Sequence, residues 1–192
     1  MSSAKTITLF TFFVTTFMLF PVQAETFSFS FAVAPHTAIK KSQDVSTKAQ
    51  AGITADTAFS LELYEKYFIE LRGRYIYFRS SGAGDDWILY RGYSSIGASF
   101  GGGFLFPDQK LFGEFPVTPS VALRGYGNFA SYNHTDIYFF YPSLEIEPAV
   151  TIARFYNNHL QLHLGLPIEL NFQRDLDLFI SGGISFGASL HF

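Results

Sequence analysis

From His159 to Gln173 every even position is large and apolar: Leu160, Leu162, Leu164, Leu166, Ile168, Leu170 and Phe172. The odd positions are His159, Gln161, His163, Gly165, Pro167, Glu169 and Asn171. Alternation with a period of two is the signature of extended strands with one greasy and one polar face. After a polar break at Arg174, Asp175 and Asp177 the same parity resumes. Leu178, Ile180, Ile184, Phe186, Leu190 and Phe192 alternate with Ser181, Gly183, Ser185, Gly187, Ser189 and His191.

Alternation does not say which face is inside, but the polar face does. A soluble exterior carries Lys, Arg, Glu and Asp, whereas here it is mostly Ser, Gly, His and Asn. Charged residues make up only 15% of the chain, against an ordinary ~25%. Small polar side chains suit a narrow interior. The apolar series of about 13 residues exceeds the roughly 9–11 that a tilted strand needs to cross a bilayer. The apolar face is therefore expected in lipid.

The chain opens with Lys5, an apolar run from Ile7 to Phe20, then Pro21 and Val22-Gln23-Ala24. A short apolar core before a small-x-small site reads as a cleaved signal peptide over 1–24, with a single domain over 25–192. The chain has no cysteine, which removes disulfides, thiolate metal sites and a lipid-modified junction. Without the signal, 12 Lys and Arg (13 less Lys5) stand against 16 Asp and Glu, a net charge of −4. That balance does not point to nucleic acid.

The remaining strands follow the same rule. Phe27, Phe29, Phe31 and Val33 alternate with Ser28, Ser30, Ala32 and Ala34, and His36 to Gln50 reads as a loop. A second strand sets Ile53, Ala55, Phe59, Leu61 and Leu63 against Thr54, Asp56, Ser60 and Glu62. A tight turn at Glu65-Lys66 leads to a third, with Leu71, Tyr75 and Tyr77 outward and Glu70, Arg72 and Arg74 inward. A fourth strand spans Ile88 to about Phe106, and Gly101-Gly102-Gly103 inside it suggests a bend or bulge. After the turn at Pro107 to Lys110, Val121 and Leu123 alternate with Ala122, Arg124, Tyr126 and Asn128 in a fifth. A sixth runs to Tyr156 with Leu144, Ile146, Val150 and Ile152 outward and Glu145, Glu147, Thr151 and Ala153 inward. With the two strands of the terminal hairpin the count is eight.

Parity restricts the turn at Asn157-Asn158. If even residues face lipid on both flanking strands, facing residues sum to an even number, so a plain two-residue turn is forbidden and a three-residue loop or a bulge is required. Setting Tyr156 opposite Leu160 places Glu147 against Glu169 and Ala153 against His163. The facing carboxylates then need an arginine from another strand. The whole expected lumen charge network is Asp56, Glu62, Glu70, Glu145, Glu147 and Glu169 with Arg72, Arg74, Arg91 and Arg124.

Aromatic residues gather by strand end. Tyr64, Tyr67, Phe68, Phe104, Phe106, Phe112, Phe155 and Tyr156 lie near the tight turns, and Tyr77, Trp87, Tyr90, Phe129, Tyr132 and Phe172 near the other end. Two such girdles are what membrane interfaces select. A leader, eight alternating strands, tight turns on one side and a last strand ending Ser189-Leu190-His191-Phe192 resemble the small bacterial outer-membrane barrels of the OmpA-barrel, OmpX and OmpW kind. The resemblance implies an all-β, single antiparallel up-and-down transmembrane barrel. It further implies that Phe192, with Leu190 and Phe186 on its face, forms the signal read by the barrel-assembly machinery. Outer-membrane lipid, periplasmic chaperones and a monomeric state belong to the same expectation.

An eight-stranded barrel is just wide enough for side chains to fill it, so the expected role is structural, with a plugged polar lumen. Two alternatives are OmpW-like passage of a small hydrophobic molecule past Phe179 and Tyr126, and lipid A modification by a barrel enzyme. For the enzyme, nucleophilic chemistry needs Ser, His and an acid in reach. The loop ends offer His36, Ser80, Ser81, Asp85 and Asp86, or His134 with Ser131 and Asp136, but His134-Thr135-Asp136 lacks the serine of the deacylase pattern. No catalytic, cofactor or metal-binding residue is assigned, and the inward His159, His163 and His191 are expected to be hydrogen-bonded lumen residues.

Overall fold

A computed structural model describes residues 24–40, 48–79, 92–111, 115–132, 138–172 and 179–192. The signal segment, Arg91, Trp87, Tyr90, Phe112, Ser80, Ser81, Asp85, Asp86, His134 and Asp136 lie outside them. The strands are β1 (Ala24–Lys40), β2 (Lys48–Leu63), β3 (Tyr67–Phe78), β4 (Tyr93–Leu105), β5 (Gln109–Leu111), β6 (Phe115–Tyr132), β7 (Tyr138–Phe155), β8 (Leu160–Gly165), β9 (Ile168–Asn171), β10 (Phe179–Gly183) and β11 (Ser185–His191). β8 with β9, and β10 with β11, are halves of two long strands. The short β5 only extends a hairpin against the start of β6. Each remaining strand pairs antiparallel with its chain neighbour, and β1 closes the wall on β10 and β11. The result is an eight-stranded, all-β, up-and-down barrel. Closure satisfies every edge, the condition for strands to stand in lipid.

The outward face is mostly apolar. Phe27, Phe59, Leu71, Ile96, Leu123, Phe129, Ile146, Ile168 and Phe186 are exposed, while Ser28, Asp56, Arg74, Ser99, Arg124, Glu145, Glu169 and Ser185 are buried inside. The inverted distribution identifies lipid as the surrounding medium. Tyr64, Tyr67, Phe106, Phe155 and Tyr156 ring the turn end, and Tyr77, Phe129, Tyr138, Phe140 and Phe172 ring the other. Phe68 and Tyr132 leave the expected girdles, because their parity turns them into the barrel, where Tyr132 packs on Phe139 with ring centroids 5.0 Å apart.

The barrel is taller than the sequence pattern indicates. β1 and β2 continue in register to Lys40 and Lys48, so most of the stretch read as a loop from His36 to Gln50 is wall, and His36 points inward. β6 and β7 have 18 residues each. At ~3.3 Å per residue and about 45° of tilt they rise roughly 40 Å, beyond the roughly 30 Å hydrocarbon core. Polar residues in the projecting part hide its strand pattern. Residues 101–103 also differ from expectation: β4 runs through the three glycines, paired on both sides without a shift of register. Gly101 faces Arg124, and a Cβ there would come within 2.7 Å of Arg124 Cγ. The glycine clears room for the arginine rather than bending the strand.

The turns at Tyr64–Lys66, Phe106–Asp108 and Tyr156–His159 all lie at one end, with both termini of the barrel. Leu63 pairs with Tyr67 across a three-residue turn, in which Tyr64 and Glu65 both have positive φ, 55° and 54°, the handedness that matches strand twist. Lys66 N–H donates to the Leu63 carbonyl across it, 3.2 Å. At the β7–β8 turn the required irregularity is a bulge between Thr151 and Ala153. The turn and the bulge each move the register by one residue from the expected one. Phe155, not Tyr156, faces Leu160, Thr151 faces His163, and Glu145, not Glu147, faces Glu169.

Candidate functional site

The lumen is arranged in layers. Nearest the turn end lies an open cavity of about 740 Å³ whose lining includes Glu62, Asp108, Arg154, His159, Gln161 and His191. The middle is charged, and the far half is aromatic. That last layer was not legible as such. Ile76, Phe78, Tyr93, Tyr141 and Phe179 are all at most 2% exposed and pack as one cluster with Ala38 and Ala130. The rings of Phe78 and Tyr93 pack at a tilt with centroids 5.0 Å apart, and Tyr141 lies 6.4 Å from Phe179.

In the charged layer three arginines reach five carboxylates. Arg74 Nε donates to Asp56 Oδ1 at 2.8 Å, its Nη2 to Glu145, and its Nη1 lies 3.3 Å from Glu169 Oε2. Arg124 Nε donates to Glu70, and its Nη1 to Glu145 Oε1 at 2.8 Å and to Glu147 Oε2 at 2.6 Å. Arg72 spans the gap, with Nε 3.2 Å from Glu70 Oε1 and Nη1 3.5 Å from Glu147 Oε2 and 3.7 Å from Asp56 Oδ2. Planar guanidiniums suit this work because each presents five donors in a fixed fork. The face of Arg74 also lies 3.9 Å from the Tyr126 ring centroid.

Five acids on three bases leaves two formal negative charges, and neutral donors offset them. Ser143 donates to Glu169, Ser185 Oγ to Glu147 Oε1 at 2.7 Å, and Ser181 Oγ to Glu169 Oε2 at 3.3 Å. Asn128 and Asn171 hold those serines from behind, each amide 3.0 Å from a hydroxyl. His36 Nε2 stands 3.9 Å from Glu169 at the border with the aromatic layer. Buried charges persist only when so supplied with partners.

Of the ten residues expected in the network, eight meet here. Glu62 does not. It stands in the cavity at the turn end, where its carboxylate faces His191. Arg91 is outside the described residues. The residues that sequence reasoning missed are the small donors, Ser143, Ser181 and Ser185. Their inward parity was visible, but their pairing depends on register. At the cavity rim Arg154 donates to both carboxylate oxygens of Asp108, 3.0 Å each, and Thr118 donates to the same carboxylate. The candidate assembly residues Phe186, Leu190 and Phe192 share the exposed outer face of the last strand, and Phe192 N–H donates to the Phe27 carbonyl at 2.9 Å. Among the described residues no group of three or more His, Asp or Glu is arranged to hold a metal ion.

No protein-family model matches the sequence, and no curated protein does. Solved structures do match. The crystal structure of Neisserial surface protein A is 16% identical, over 86% of this chain and 98% of that one, with a TM-score of 0.58. Ail, the attachment invasion locus protein of Yersinia pestis, is 11% identical over 88% of this chain and 100% of its own, with a TM-score of 0.47. The chain thus has the fold of the small eight-stranded outer-membrane β-barrels.

Proposed function

We propose that this chain is an integral outer-membrane barrel of structural role, monomeric, with the turn end in the periplasm and a lumen closed to ions and solutes. The observation that carries this reading is the continuity of the fill. Arg74, Arg124 and their five carboxylates occupy the middle of the lumen, and the cluster around Phe78, Tyr93, Tyr141 and Phe179 occupies the far half. The cavity at the turn end is then a vestibule without an exit. Short turns on the periplasmic side and longer connections outside are the usual polarity of such barrels. On this reading periplasmic chaperones deliver the chain, and the assembly machinery recognises the face of Phe186, Leu190 and Phe192. Passage of a small hydrophobic molecule has less support, because the apolar half of the lumen is taken up by the chain's own rings.

Recording across a planar bilayer tests the closure. The refolded protein is expected to insert without measurable current, and a steady unitary conductance from the unmodified chain would overturn the sealed lumen.

A further inference from the structure

The inner wall beside the vestibule carries a hydrogen-bonded chain that closing the barrel does not require. Ser189 Oγ lies 2.8 Å from His191 Nε2, and His191 Nδ1 lies 3.6 Å from Glu62 Oε1. On its other side Ser189 Oγ lies 2.6 Å from His163 Nε2, and His163 Nδ1 lies 3.0 Å from Thr151 Oγ1. Ser189 and His191 alternate on the inner face of β11, Glu62 closes β2, and His163 faces Thr151 across the β7–β8 pair.

Proton placement gives the chain a direction. With the His191 proton on Nδ1, it points at the Glu62 carboxylate, and Nε2 accepts from the Ser189 hydroxyl. His163 then carries its proton on Nε2, donates it to Ser189 Oγ, and accepts from Thr151 on Nδ1. Every contact is satisfied. Reversing the chain would set the lone pair of His191 Nδ1 against a carboxylate, so the first arrangement is favoured. It is the order acid, imidazole, hydroxyl that activates a serine. The 3.6 Å step to Glu62 exceeds a hydrogen bond, and such contacts commonly tighten when substrate arrives.

We propose that Ser189 is an activated nucleophile, with His191 as its base and Glu62 as the orienting acid, that cleaves small carboxylic esters entering from the vestibule. Ser189 Oγ bonds to the carbonyl carbon as its proton passes to His191 Nε2, while the N–H of His163 steadies the charge on the attacking oxygen. The tetrahedral adduct expels the alkoxide, which takes the proton from His191 and leaves acyl-Ser189. Water, deprotonated by His191, attacks the acyl carbon and releases the acid as the proton returns to Ser189. Access follows from the cavities. Ser189 lines an inner recess of about 130 Å³, which shares Glu62, Leu105, Thr151, Gln161 and His191 with the vestibule. The recess limits the acyl group to a small one. This inference departs from the expectation that the chain carries no catalytic residue, and it places the chemistry beside the turn-end vestibule, away from His36 at the border of the aromatic layer.

The test is covalent labelling of the full-length protein, folded in detergent micelles, with a small alkyl fluorophosphonate. Intact mass and peptide mapping should find one adduct per chain, on Ser189, and none in Ser189→Ala. Ser185, buried in the same wall and bonded to Glu147 without a histidine, should stay unmodified. His191→Asn should slow labelling and p-nitrophenyl acetate hydrolysis by about a hundredfold. Glu62→Gln, at a more exposed position, should slow both by a smaller factor and serves if His191→Asn does not fold. Circular dichroism verifies the fold of each variant. No adduct on Ser189 of the folded protein, or a labelling rate that neither His191→Asn nor Glu62→Gln lowers, would overturn the proposal.

Discussion

Glu145 on β7 stands directly opposite Glu169 on β9, and both carboxylates reach the guanidinium of Arg74 from β3. Two facing acids buried this completely repel, and Arg74 turns the repulsion into a bridge. Truncating one member of a buried ion network strands its partners and costs about 3–5 kcal/mol. Arg74→Ala should therefore lower the urea midpoint of the barrel in lipid vesicles by that equivalent, with the slope unchanged. Adding Glu169→Gln should recover part of the loss, because one stranded charge is then gone. A midpoint like that of the unmodified protein in Arg74→Ala would remove the network from the account of lumen stability.

The outer face was legible in the sequence and the lumen only in part, for a physical reason. Lipid selects apolar side chains on the outward face, so the parity of Leu160 to Phe172 or of Leu144 to Ile152 can be read directly. Inward positions answer only to neighbours across the lumen, and these depend on register. The turn pairs Phe155 with Leu160, one residue off the expected register, and the bulge after Thr151 adds one more, so Glu169 faces Glu145 and not Glu147, which no count of alternating residues reveals. The aromatic layer was hidden differently. Tyr75 to Phe78 is apolar on both faces, so the inward Ile76 and Phe78 gave no contrast with their neighbours. His36 was hidden because the strand carrying it rises past the membrane, where polar outward residues are tolerated.

Leu164 tests which side of the wall meets lipid. It faces outward between Val150 on β7 and Phe186 on β11, and an arginine there should cost about 2–4 kcal/mol near the bilayer midplane. Gln161 lies on the same strand but lines the vestibule. Leu164→Arg should reduce the folded fraction in vesicles sharply while Gln161→Arg leaves it near normal. Equal yields of the two would reverse the assignment of inside and outside.

Deleting Phe192 separates folding from assembly. The residue adds one backbone hydrogen bond to Phe27 and an exposed ring, so spontaneous refolding into detergent should barely change. Insertion in cells should slow severalfold if the terminal aromatic is read by the assembly machinery. Pulse-chase measurement of folded barrel makes the comparison, and unchanged insertion would detach Phe192 from that role.

Asp108 and Arg154 make the turn end sensitive to acid. The hydrogen bonds from Arg154, and then that from Thr118, hold the Asp108 carboxyl below its usual range. A carboxylate whose folded value is depressed contributes its stabilisation above the unfolded value, near 3.9, and loses it as pH falls through the folded value. The clamp between the turn at Phe106–Asp108 and the end of β7 should thus be intact at neutral pH and release only in acid below about pH 4. Because Asp108 is largely exposed, the effect should be local to the turn, leaving the lumen unfolding transition in place. Carboxyl-detected NMR should give Asp108 a midpoint below that of an ordinary aspartate, and Arg154→Ala should raise it toward the ordinary range, with the Thr118 hydrogen bond still in place. Amide exchange in Gln109 to Leu111 should quicken in the variant at neutral pH and in the unmodified protein only in acid. An Asp108 midpoint that Arg154→Ala does not raise would show that the arginine is not what holds the turn.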